Sequence, residues 1–168
     1  MTSYVALLRA VNVGGTGKLP MAELKMMGED CGFANARTYI ASGNLLFESV
    51  ADEAAVKAAL EAKLAGRAGR VVEVFVRTHS ELAAIIAANP FPDAHGSRHL
   101  VYFQDNPPTA DLIAQCRDIN GERLALGTRE LYVDYGDGIR FTKLKIPGKT
   151  ERTARNMNTV TKLANLLA

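Results

Sequence analysis

The sequence predicts an α+β protein made of two ferredoxin-like halves, or α/β plaits, packed together, with mainly antiparallel sheets. Three observations carry this expectation. The first half reads β-α-β-β-α-β, the element order of a plait. A stiff run, Asn89-Pro90-Phe91-Pro92, interrupts the chain near its middle. Beyond it, strand and helix signals resume in much the same order, which places the halves at residues 1–89, including a connecting helix, and 90–168. At 168 residues and 48% hydrophobic, the chain can bury one core or two small cores sharing an interface. No residues match between the halves, so the repeat is one of topology.

The elements follow in order. Residues 4–8 form a short apolar strand closed by Arg9. Pro20 to Glu23 open a helix, with proline in the first turn and a carboxylate near the positive end of the dipole. Leu24, Met27 and Cys31 share one side of it, and Gly32 ends it. RTYIASGNLLFES gives two β-runs around Ser42-Gly43-Asn44, a hairpin by its turn chemistry. Asp52 caps an alanine-rich helix to about residue 65, with Val56, Leu60 and Leu64 spaced by four. A β-branched strand at 71–76 and a helix at 80–88 complete the first half. The second half has strand 100–103, helix 110–116, strand 123–126, a Gly127-Thr128 turn, strand 130–134, a last strand at 139–144 and a final helix. Thr153 or Asn156 caps that helix, and Met157, Val160, Leu163, Ala164 and Leu167 form its buried stripe.

Composition excludes several classes. Charged residues make up 23%, and no window is poor enough in apolar side chains to stay disordered. The opening residues lack a basic stretch followed by a long apolar one and read as a strand rather than a signal peptide. No run reaches the ~18 apolar residues of a membrane span. The expectation is a cytoplasmic protein with no membrane partner, whose two cysteines, Cys31 and Cys116, are reduced thiols.

Charge is distributed unevenly. From Ile139 to the end, seven basic residues face Glu151 alone, a net of +6, while the remainder carries 13 basic and 17 acidic groups, a net of −4. The basic segment FTKLKIPGKTERTARNMNTVTKL places Arg152, Thr153, Arg155 and Asn156 around a helix start, with Lys143 upstream. Helix N–H groups, a dipole and two guanidinium forks suit a phosphate or carboxylate. A second anion candidate is VNVGGTGKLP. It fails as a P-loop: Asn12 stands where the first glycine belongs, Leu19 replaces the hydroxyl residue and Pro20 removes a donor. Gly14, Gly15 and Gly17 still permit a looser nest of N–H groups beside Lys18. Ser42 presents a hydroxyl at a tight turn without the G-x-S-x-G elbow of a nucleophile. His95 and His99 are four apart but in a loop, so neither a metal nor another cofactor is expected.

Seven stretches, YVALLRAVNVGG, LPMAELKMM, RTYIASGNLLFES, EVFVRTHSEL, NPFP, GERLALGTRELYV and TARNMNTVTKLANL, together resemble the bacterial family called domain of unknown function 1697. The resemblance spans nearly the whole chain in the same order and implies paired ferredoxin-like halves, but no activity. The chain departs from the family pattern at Ala10 and Val11, where Gly-Ile is usual before asparagine. It departs again at Met157, where a tryptophan is common, and at Thr142, where a serine is usual.

Three function classes follow. The leading one is a binding module for an anion, either a phosphate-bearing small molecule or RNA, through Arg152, Arg155, Thr153, Asn156, Lys143, Lys18, Asn12 and Ser42. The second is an enzyme acting on a phosphorylated or carboxylated small molecule, with Ser42 or Thr142 near Lys143 and Arg155. The third is a protein-interaction scaffold or homodimer.

Overall fold

The computed structural model describes residues 1–12 and 18–168. They form two compact units, Met1–Leu82 with Leu163–Ala168, and Ala83–Lys162. Each unit holds a four-stranded antiparallel sheet, as the α+β expectation requires.

In the first unit, β1 (Thr2–Leu8) pairs with β3 (Asn44–Ser49) on one side and β4 (Val74–Thr78) on the other, and β2 (Ala34–Thr38) lies outside β3. The order β2-β3-β1-β4 is that of a ferredoxin-like plait. Helices α1 (Met21–Asp30) and α2 (Glu53–Ala68) pack on one face of this sheet. There Tyr4, Ala6 and Leu8 of β1 alternate into the core with Leu24 and Met27 of α1 and Val56, Leu60 and Leu64 of α2.

Local chemistry sets the helix ends. Gly32, at φ +83°, donates to Glu29 O while Phe33 donates to Gly28 O, the paired bonds of a Schellman stop. The Asp52 carboxylate accepts from Ala55 N at 2.9 Å and starts α2, and Gly69 at φ +69° ends it. Helix α3 (His79–Ala87) opens with a reciprocal box. Thr78 N donates to Glu81 Oε1 at 2.9 Å, and Glu81 N donates to Thr78 Oγ1 at 3.1 Å.

The second unit repeats the sheet. Its strands β5 (His99–Phe103), β6 (Arg123–Leu126), β7 (Glu130–Asp134) and β8 (Thr153–Asn156) lie in the order β6-β7-β5-β8. Registers agree position by position. Val5 sits between Leu46 and Arg77, and Val101 sits between Tyr132 and Arg155. Leu8 N bonds Gly43 O, and its counterpart Gln104 N bonds Arg129 O. Each fourth strand runs straight into a capped helix. Asn156 Oδ1 accepts from Thr159 N at 2.9 Å at the start of α5 (Met157–Leu167).

Three expectations for this unit are corrected. Residues 139–144 form no strand; the segment between β7 and β8 is turns, two short 3₁₀ pieces and one isolated bridge, Arg117 to Lys145. The fourth strand is β8, so Thr153 is a strand residue and Asn156 alone caps the last helix. The helix expected at 110–116 reduces to the single turn α4 (Leu112–Gln115). No helix among the described residues is long and apolar enough to cross a membrane.

Candidate functional site

Five of the expected ligand residues lie in the second unit. Arg152 and Arg155 are buried there, 7% and 6% exposed. Arg152 Nε donates to Gln104 Oε1 at 2.7 Å, and its Nη1 donates to the carbonyls of Pro147 and Gly148, where the chain turns before β8. Arg155 Nη1 donates to Thr153 Oγ1 at 3.0 Å and Ala154 O at 2.8 Å. Burial pulls the Arg155 guanidinium down to about 10, still charged at neutral pH. The helix start is also occupied. Met157 N donates to Gly96 O, Thr159 N to Asn156, and the Asn158 side chain lies against Gly96, where an added Cβ would meet it at 2.1 Å. The forks and N–H groups that the sequence aims at an anion therefore meet protein acceptors.

Lys143 is exposed and lines a separate hollow of about 410 Å³ with Thr142, Phe141, Ile119, Glu122 and Asp118. The Thr142 hydroxyl donates to Glu122 Oε1 at 3.2 Å. The lining mixes one cation, Lys143, with two carboxylates, of which Asp118 pairs with Lys145 at 3.7 Å.

The other three expected residues come together in the first unit. Asn12 Nδ2 donates to Leu19 O at 2.9 Å and Ala41 O at 2.8 Å, while Leu19 N donates back to Asn12 Oδ1 at 2.6 Å. One carboxamide thus ties the chain before α1 to the end of β1 and to the β2–β3 hairpin. Ser42 lies next to Ala41, and its hydroxyl accepts from Asn44 Nδ2 at 3.1 Å. The backbone here is strained: Ala10, Asn12 and Ile40 have φ of +55°, +54° and +52°, a region that costs side chains other than asparagine most. Gly43, at φ +91°, closes the cluster, since a Cβ there would stand 2.6 Å from Val11. Gly14, Gly15 and Gly17 of the expected nest lie outside the described residues.

Beside this cluster is a hollow of about 170 Å³ lined by Val11, Lys18, Leu19, Leu64, Arg67, Ala68, Arg70 and Val72. Arg67 holds Glu23 at 2.7 Å, an exposed pair of small energetic value. Arg70 donates to Ala10 O at 3.2 Å and Val71 O at 3.3 Å, and no carboxylate among the described residues pairs with it. The lining carries three cations, with Glu23 as the carboxylate paired to one of them.

Sequence reasoning found Lys18 but missed Arg67 and Arg70. Their signal is the run Arg67-Ala68-Gly69-Arg70, a basic helix end followed by a left-handed glycine that turns the chain back toward β1. Among the described residues no group of three or more His, Cys, Asp or Glu side chains could hold a metal ion. His95 is exposed, with Ser97 Oγ 2.7 Å from its Nδ1. His99 is buried between the rings of Phe91 and Tyr132, at 5.6 and 6.0 Å.

The family described as "Protein of unknown function (DUF1697)" matches residues 1–132. Among solved structures, the chain is similar to the conserved bacterial protein SP0830 from Streptococcus pneumoniae, with a TM-score of 0.84 and 23% identity over 99% of each chain. That likeness is one of fold. No curated protein matches the chain.

Proposed function

The chain belongs to the DUF1697 family of proteins of unknown function, and from that premise we propose that it is a cytoplasmic bacterial anion-binding module, taking a small phosphorylated or carboxylated molecule in the hollow beside the end of β1. The observation that carries the reading is the convergence of Lys18, Arg67 and Arg70 on one concavity, with Glu23 paired to Arg67 as the one ion pair they make among the described residues. Charge-assisted donors are strong ligands for phosphate and carboxylate oxygens. The strained, hydrogen-bonded loops at Ala10, Asn12 and Ile40 hold one wall in place, as pre-organised sites require.

Size narrows the ligand. About 170 Å³ lies below the ~300–1,000 Å³ of sites for drug-sized ligands, so a nucleotide or an RNA base fits less well than a small anion. The lining offers cations and hydrocarbon rather than a nucleophile with its base, which favours binding over catalysis. Titration calorimetry with inorganic phosphate and acetate tests the reading. Replacing Lys18 and Arg70 together by alanine should weaken phosphate at least about tenfold, one charged hydrogen bond being worth ~1.5–3 kcal/mol. Unchanged affinity in the double variant would overturn it.

A further inference from the structure

The residues around the hollow fall into two classes by burial. Lys18, Arg67 and Arg70 are exposed and form a rim, whereas Val11, Leu19, Leu64 and Val72 are 4%, 8%, 1% and 2% exposed and form a floor. The floor is assembled from four separate pieces of chain: the end of β1, the residues before α1, the last buried turn of α2 and the approach to β4. Each piece is held independently. Leu19 is gripped through both its N–H and its carbonyl by Asn12, and Leu64 continues the buried stripe of Val56 and Leu60.

Such a floor has side chains with no donor or acceptor to offer. A bare inorganic anion would meet the rim cations and leave the hydrocarbon below it in contact with water. The hollow, about 170 Å³, has the volume of a cavity that admits a benzene-sized molecule.

We infer that the ligand is an amphiphilic anion, a phosphate or carboxylate head on a compact hydrocarbon body of up to about six carbon atoms, with head at the rim and body on the floor. This rests on the anion-binding reading above and goes further by naming the ligand's second half. Long-chain lipids and nucleotides are too large, and inorganic phosphate lacks the body.

The test is the affinity of the intact chain for inorganic phosphate and for methyl, butyl, hexyl and octyl phosphate. Affinity should rise with chain length, by about fivefold in all, and level off by hexyl. Ala68→Phe, at the exposed end of α2, should fill the hollow. It is expected to abolish the chain-length gain. A series that binds but is flat with chain length, or a gain that survives Ala68→Phe, overturns the inference and leaves the anion site standing. Failure of every phosphate to bind overturns the anion reading itself, and the inference with it.

Discussion

The two plaits share a strand order and a register but bury very different cores. In the first, α1 and α2 cover one sheet face, and Leu24, Leu60, Leu64, Leu8 and Leu45 are all 1% exposed or less. In the second, the place of the helix between β7 and β8 is taken by irregular chain. There one cluster joins buried Leu112, Leu131, Val133 and Tyr135, with Leu124, Leu126, Ile139, Leu144 and Ile146 partly buried around it. Polar devices do more there. Arg152 stitches the approach to β8, and the Tyr102 and Tyr135 hydroxyls meet at 2.6 Å. Arg123 lies over the Phe91 ring while holding Asp134 and Asp93. A plait sheet thus tolerates the loss of a helix when side-chain hydrogen bonds tie down the replacement loop.

The sharpest test of this contrast is a pair of core truncations. Leu60→Ala should cost about 3–4 kcal/mol in urea unfolding, and Leu112→Ala about 2, because half-exposed neighbours collapse into the smaller cavity. Equal losses would erase the distinction between the two cores. Next in size, Gly43→Ala should destabilise by about 2 kcal/mol, from the left-handed backbone and the close Val11 methyl. Its counterpart in the second hairpin is Arg129, and Arg129→Ala should stay within about 1 kcal/mol.

A pH effect belongs to the second unit. His99 faces the Phe91 and Tyr132 rings, with Asp134 and Arg123 as its charged neighbours, and neither ring nitrogen has a hydrogen-bond partner among the described residues. Burial lowers its pKa from 6.5; Asp134 opposes this and Arg123 adds to it. The unfolded chain therefore binds the proton first, so stability is full above pH 6.5 and is lost as pH falls through and below that value. Melting temperatures from pH 7.5 to 5 should decline, and His99→Phe should flatten the decline. For Asp134, burial acts upward but is outweighed by Arg123 and the Gly136 N–H, so its share is retained until lower pH. The smallest effect is expected at the rim of the hollow. Lys18→Ala and Arg70→Ala should each move stability by no more than about 0.5 kcal/mol, and a larger change would mark them as structural residues instead of ligand donors.

The first half was readable because its signals are local. Asp52 before α2, Gly32 after α1, the spacing of Val56, Leu60 and Leu64 and the Ser42-Gly43-Asn44 hairpin all act within a few residues of one another. Residues 139–144 were expected to form the last strand of the second half and are turns, with an isolated bridge at the neighbouring Lys145. Thr153–Asn156 shows the reverse. Nothing in that short polar stretch announces a strand, and it becomes one through pairing with β5.

The candidate site divides the same way. Lys18 and Asn12 were visible as a glycine-flanked loop, but Arg67 and Arg70 stand about fifty residues further on and reach it only because the plait folds α2 back over β1. Likewise, Arg152 and Arg155 look like open guanidinium forks in one dimension, and burial with Gln104, Pro147, Gly148, Thr153 and Ala154 as acceptors gives them another role. Composition and periodicity were enough for the class and for the elements and caps of the first half, since backbone preferences and apolar spacing are short-range. Which cations face open space depended on long-range packing, because desolvation and partner choice are properties of the folded surroundings and not of neighbours in the chain.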